Sequence, residues 1–202
     1  MARKVYPEAV RGTGMQYRKT LAGGLMFLGT SWFILGIIVS EALYPGYTAT
    51  KMLSDLGVGQ TAGIYNSSII IFGLCLFTSA YLLWIDKQLR YIAVLLGLAG
   101  LGAVGVGFLP ETLGTPHVVV ALTVFICGGI AAVLSFRVFR QPFKWFSLVL
   151  GIVILAATVL ILAVIILKFP VIIGNGGVER MIAYPFFIWA LGTGGYLIAE
   201  GD

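Results

Sequence analysis

Six stretches of the chain are apolar almost without interruption, at about 20–43, 62–84, 91–109, 116–136, 145–168 and 178–198, with short polar joints between them. Each is close to the roughly 20 residues that a helix needs to cross a hydrocarbon core about 30 Å thick. Segments of about ten residues with alternating polarity, the mark of a membrane barrel, do not occur. The pattern predicts an all-α, polytopic membrane protein. Residues 20–202 form a single six-transmembrane-helix bundle, and residues 1–19 are a basic segment ahead of it.

Composition agrees and narrows the choices. Hydrophobic residues make up 59% of the 202 and charged residues 10%, with a mean hydropathy of +1.02. In soluble domains charged residues approach a quarter. Sorting Lys and Arg by joint places Arg3, Lys4, Arg11, Arg18, Lys19, Lys87, Arg90, Arg137, Arg140 and Lys144 on the face that holds both termini, and Lys51, Lys168 and Arg180 on the other. That asymmetry predicts cytoplasmic N- and C-termini in the cell (plasma) membrane, and Trp84 and Trp145 suit the inner interface. The acids divide evenly, with Glu8, Asp86, Glu200 and Asp202 inside and Glu41, Asp55, Glu111 and Glu179 outside. The basic balance therefore reflects topology and contact with anionic inner-leaflet lipid. It is no argument for nucleic acid. The first span follows a basic start, as a signal peptide does, but it exceeds an h-region of about 7–15 residues and no small-residue cleavage pattern follows, so it reads as uncleaved.

Several residues carry local expectations. Gly97, Gly100, Gly102, Gly105 and Gly107 let neighbouring backbones approach span three, which places it at the centre of the bundle. Thr115 as cap and Pro116 in the first helical position open span four, and Pro185 should kink span six and free the carbonyl of Met181. Cys75 and Cys127 read as small midspan thiols, with nothing in their spacing to support a disulfide.

The longest interruption, Glu41 to Asn66, carries Glu41, Lys51 and Asp55 in a chain with few charges. Lys51 and Asp55 would be an i,i+4 pair on one helical turn. Asn66, inside span two, should face the bundle or a wet cavity. Glu41, Tyr44, Lys51, Asp55, Asn66, Glu111, His117, Glu179, Arg180 and Tyr184 lie level at one rim and are the candidate ligand-binding residues. Arg180, at a span end, needs a carboxylate from Glu41, Asp55, Glu111 or Glu179. With Lys51 it suits an anionic headgroup. Asp55, Glu111 and His117 are the candidates for acid–base catalysis. The other reading of His117 is a helix-end side chain bonded to the loop beside it.

In order, the chain carries Tyr44-Pro45-x-Tyr47, Ser54-Asp55-Leu56-Gly57, Tyr65-Asn66, Gly107-x-x-Pro110-Glu111 with His117 downstream, and Gly176-x-x-Glu179-Arg180-x-x-x-Tyr184-Pro185-x-x-x-Trp189. This series resembles the six-span membrane family catalogued as domain of unknown function 998, from about residue 20 onward. The resemblance implies the fold and the polar outer rim, and brings no activity with it.

The resulting expectation is a polar outer-leaflet vestibule that binds a lipid or amphiphilic molecule without a cofactor. Its partners would be membrane lipids and that ligand, with a homo-oligomer left open. A membrane hydrolase or transferase using the same vestibule is the enzymatic alternative, and an assembly subunit with a salt-bridge cluster is the structural one. No ionisable group falls at midspan and no internal repeat is convincing, which disfavours a transporter. One His and two midspan Cys argue against zinc. Asp55, Glu111 and Glu179 are the oxygen set that Ca²⁺ or Mg²⁺ would use.

Overall fold

The computed structural model describes residues 8–168 and 170–201, with side chains from residue 14 onward. Arg3, Lys4, Phe169 and Asp202 lie outside the described residues, as does the side chain of Arg11. The apolar runs fold as six helices: α1 Glu8–Leu43, α2 Ala62–Leu83, α3 Arg90–Phe108, α4 Thr115–Ser135, α5 Phe143–Leu167 and α6 Gly174–Gly201. All six contain a window apolar enough to cross a membrane. Helix α1 continues back through the basic segment to Glu8, because no proline interrupts residues 8–44. With six crossings both chain ends fall on one face, here the termini face. The joints after α1, α3 and α5 make the distal face.

Each helix packs on its neighbours in sequence, and α6 closes on α1 to complete a ring. Glycines set the closest approaches. A Cβ on Gly23 of α1 would stand 2.5 Å from the Gly194 carbonyl of α6, and one on Gly100 of α3 would stand 2.7 Å from the Gly73 carbonyl of α2. Gly102 presses in the same way on the Val120 carbonyl of α4. The α3 glycines thus permit close packing, but α3 is a ring member between α2 and α4 and not the centre of the bundle. Close approach on two sides fixes two neighbours and no more.

The interior is instead aromatic. Phe72 of α2 stacks on Phe33 of α1 at 5.4 Å and meets Phe186 and Phe187 of α6 edge-on at 6.1 and 6.0 Å. Such pairs add about 0.5–1.5 kcal/mol each beyond their burial. Helix α5 is the most apolar of the six and only a third of its apolar stretch is buried, as a helix facing lipid over much of its surface should be. Cys75 and Cys127 are free and partly buried.

Two helices that contain a proline are expected to show its effect, α4 at its start and α6 in its middle. Gly114, with φ 66°, stands at the N-cap of α4, Thr115 is already helical, and no side chain caps the end. A left-handed residue is needed to reverse the chain there, and glycine adopts it without strain. Helix α6 continues through Pro185.

On the termini face the charges are stitched together. The Lys19 ammonium lies 3.3 Å from Asp86 and 3.5 Å from Glu200. The Tyr196 hydroxyl donates to Glu200 at 2.7 Å and accepts the Arg140 backbone N–H at 3.1 Å. These contacts join α1, α6 and the joints after α2 and α4.

Candidate functional site

The distal joint between α1 and α2 carries two leucines among polar residues, and they decide its path. Leu53 and Leu56 are 2% and 0% exposed, so the joint folds back into the mouth of the ring as a lid. A 3₁₀ turn, Ser54–Gly57, forms its tip. Asn66 faces inward as expected and donates to the Gly57 carbonyl at 3.0 Å, while Thr61 donates to the Leu56 carbonyl at 3.0 Å. From the other side, the Gly176 N–H donates to the Thr50 carbonyl at 3.0 Å. A Cβ on Gly176 would overlap the Lys51 carbonyl, so the first turn of α6 admits only glycine there without a shift.

Arg180 is the latch of this lid. One terminal nitrogen, Nη2, donates to Glu41 at 2.6 Å and to the Tyr47 hydroxyl at 2.8 Å. The other, Nη1, donates to the carbonyls of Ala49, Lys51 and Gly176 at 2.9, 2.8 and 3.1 Å. Arg180 therefore has the carboxylate partner that its position demands, and that partner is Glu41. Both terminal nitrogens are occupied by protein acceptors, which leaves no fork for an anionic headgroup. Burial pushes the Tyr47 hydroxyl up to about 12, so it stays protonated and donates to the Met52 carbonyl at 2.9 Å. Tyr184 stands beside Arg180, half-exposed on a groove between α1 and α6.

Lys51 and Asp55 do not form the i,i+4 pair that a helical turn would have made. The 3₁₀ turn begins only at Ser54, and the two side chains take separate partners. The Lys51 ammonium lies over the Tyr44 ring, 5.8 Å from its centre. Asp55 accepts the Met52 N–H at 3.0 Å. With Glu111 these three side chains line a shallow dish on the distal surface. Burial, and then the negative charge of Asp55, raise the Glu111 carboxyl above the usual carboxylate range.

Beneath the lid lies a cavity of about 40 Å³, the chamber. Its apolar wall includes Phe33, Phe72, Phe125, Phe186 and Phe187, and its polar wall is Ser54, Tyr65, His117 and Glu179. Glu179 accepts the Leu53 N–H, which fixes the lid to α6. A carboxylate has about four lone-pair sites, so Glu179, which borders the chamber, keeps acceptor capacity beyond the Leu53 N–H. His117 Nδ1 lies 2.7 Å from the Leu109 carbonyl. A carbonyl can only accept, so Nδ1 carries the proton and Nε2 of the neutral ring keeps the lone pair. His117 is thus a helix-end histidine bonded to the loop beside it, with its second nitrogen unassigned. Ser54 connects chamber and dish, because it borders the first and donates to Glu111 of the second at 2.7 Å.

The ten candidate residues therefore separate into three groups. Glu41, Arg180 and Tyr184 belong to the latch and its flank, Tyr44, Lys51, Asp55 and Glu111 to the dish, and His117 and Glu179 to the chamber, while Asn66 holds the lid. The structure adds Ser54 and Tyr65 to the chamber wall. The available signal was the pair of leucines at 53 and 56, which an exposed loop has no reason to carry. Asp55, Glu111 and Glu179 do not converge as a metal-binding group among the described residues.

No curated protein and no solved structure matches the chain. A family model described as a protein of unknown function, DUF998, matches residues 27–195, which takes in α2 to α5, parts of α1 and α6, and every candidate residue from Glu41 to Tyr184. This six-helix membrane protein belongs to the DUF998 family.

Proposed function

We propose that the protein binds an amphiphilic molecule in the chamber beneath the lid, and that the distal face is the outer one. The observation that carries this reading is the burial of Tyr65, His117 and Glu179, each more than nine-tenths buried and each bordering a cavity in an otherwise apolar ring. Polar groups taken out of water without full partners cost free energy, and a ligand that meets them removes that cost. The chamber has room for only about three waters, so a larger ligand displaces the lid or a wall side chain when it enters. Phe187 is such a side chain, since it borders both the chamber and the groove of about 340 Å³ between α1 and α6. The outer orientation rests on the distribution of Lys and Arg.

Native mass spectrometry of the purified protein is the test. A co-purified amphiphile is expected on the wild type and is lost from His117→Ala, which keeps its fold because the residue is uncharged. Loss of stability in both His117→Ala and Glu179→Gln, with no adduct on the wild type, makes the cluster structural. For the orientation, a membrane-impermeant thiol reagent should reach a Cys placed at Thr48 in intact cells and miss one placed at Gln88.

One contact favours an enzymatic version of the same site. The Ser54 hydroxyl donates to Glu111, a carboxyl whose proton affinity is raised, so Glu111 is placed to take a proton from Ser54 or from a water. In a hydrolase or transferase of this kind Glu111→Gln retains the bound adduct and abolishes its turnover.

A further inference from the structure

We infer that the chamber takes the ammonium end of an amphiphilic amine, whose alkyl chain runs past Phe187 into the groove between α1 and α6. This deepens the binding reading and rests on it. The chamber's polar wall is rich in acceptors, and apart from the His117 N–H bonded to Leu109 only the hydroxyls of Tyr65 and Ser54 can also donate, that of Ser54 being spent on Glu111. Glu179 has carboxylate lone pairs beyond the Leu53 N–H, and Nε2 of His117 is left as an acceptor once Nδ1 donates to Leu109. Above them Asp55 and Glu111 add negative potential through Ser54.

The nearby cations are turned away from this space. Arg180 directs both terminal nitrogens at Glu41, Tyr47 and three carbonyls, and borders no part of the chamber. Lys51 sits over the Tyr44 ring in the dish. An anionic head would meet an unpaired carboxylate, which is repulsive in a medium of low dielectric constant. An ammonium would meet that carboxylate, one imidazole acceptor and a wall of phenylalanine rings, a residue type whose faces attract cations.

The size of the space selects the rest of the molecule. About 40 Å³ holds a compact head and no chain. The chain must therefore leave, and Phe187 is the side chain shared by the chamber and the apolar groove, whose other walls include Ile34, Ile37, Ile188 and Leu191.

The test is thermal unfolding of the full chain in nonionic micelles doped at equal mole fraction with dodecylammonium, dodecanoate or dodecanol, with ethylammonium at equal concentration as a chainless control. Dodecylammonium is expected to raise Tm by about 3 °C or more, the other three by much less, and Glu179→Gln should erase the difference. Gln keeps an oxygen for the Leu53 N–H, so this variant retains its lid. Phe187→Trp, which narrows the passage, should weaken dodecylammonium alone. If dodecanoate stabilises as well as dodecylammonium does, the charge assignment is wrong while the binding reading stands. Equal stabilisation by ethylammonium overturns the part played by the chain. If no amphiphile shifts Tm, the binding reading itself falls.

Discussion

The two ends of the bundle each gather a few charged side chains, and they use them differently. On the termini face Lys19 lies between Asp86 and Glu200, and Tyr196 links Glu200 to the Arg140 backbone, so the acids there meet protein donors. On the distal face a single close ion pair among the described residues, Arg180 with Glu41, holds the lid, and Glu111 and Glu179 are left to neutral donors, Ser54 and the Leu53 N–H. Glu179 and His117 border the chamber, and none of the termini-face groups does. Stitching a bundle requires only the first arrangement. The second keeps acceptor capacity buried beside a space, and that is what separates a candidate site from a polar seam.

Breaking the latch should have the largest effect. Arg180→Ala removes five hydrogen bonds and strands a partly buried Glu41, at a cost of about 3 kcal/mol. Lys19→Ala gives up two looser contacts, at 3.3 and 3.5 Å, where Arg180→Ala gives up five hydrogen bonds, and should cost about 1 kcal/mol. Thermal or denaturant unfolding compares them directly, and equal losses would erase the contrast between the two faces. Next comes Gly176→Ala, where the new methyl overlaps the Lys51 carbonyl and should destabilise by about 1–3 kcal/mol. Gly24→Ala on α1 meets nothing within 4 Å and serves as the neutral control in the same assay.

Smaller effects sharpen the comparison. His117→Ala removes a buried ring and strands the Leu109 carbonyl, at a cost of about 1–2 kcal/mol, so the fold survives while its bound ligand is lost. The smallest effect is a pH slope from Glu111. Its folded-state carboxyl holds a proton more tightly than the unfolded one, whose ordinary value is 4.5. The folded state therefore binds more protons, and stability declines as pH rises from about 4.5 through the raised value. Glu111→Gln should flatten that part of the profile in a pH series of unfolding curves.

Much of the fold was legible because the bilayer imposes length. Six apolar runs had to be helices of about 20 residues, and the joints fell within a few residues of where the runs end. The place of α3 was not legible, since glycines report close approach without saying how many helices surround them. For the site, Arg180 with a carboxylate could be foreseen from a charge at a span end. The dispersal of the ten rim residues into latch, dish and chamber could not. Main-chain groups build the lid: the Leu53 N–H, the carbonyls of Ala49, Lys51, Met52 and Gly57, and the N–H of Gly176. Such groups leave no side-chain pattern in a sequence. Only Leu53 and Leu56 marked the fold-back, and their burial is what brings Ser54 beneath the surface.

The central claim is that the distal polar groups serve a ligand while those of the termini face serve the fold. A density map of the protein purified in nonionic detergent tests it most directly. The account predicts elongated density in the chamber, with a polar end within hydrogen-bonding reach of Glu179 and His117, and none of the kind beside Lys19 and Glu200. A chamber that holds only isolated waters, with Glu179 paired to a protein cation, would contradict it.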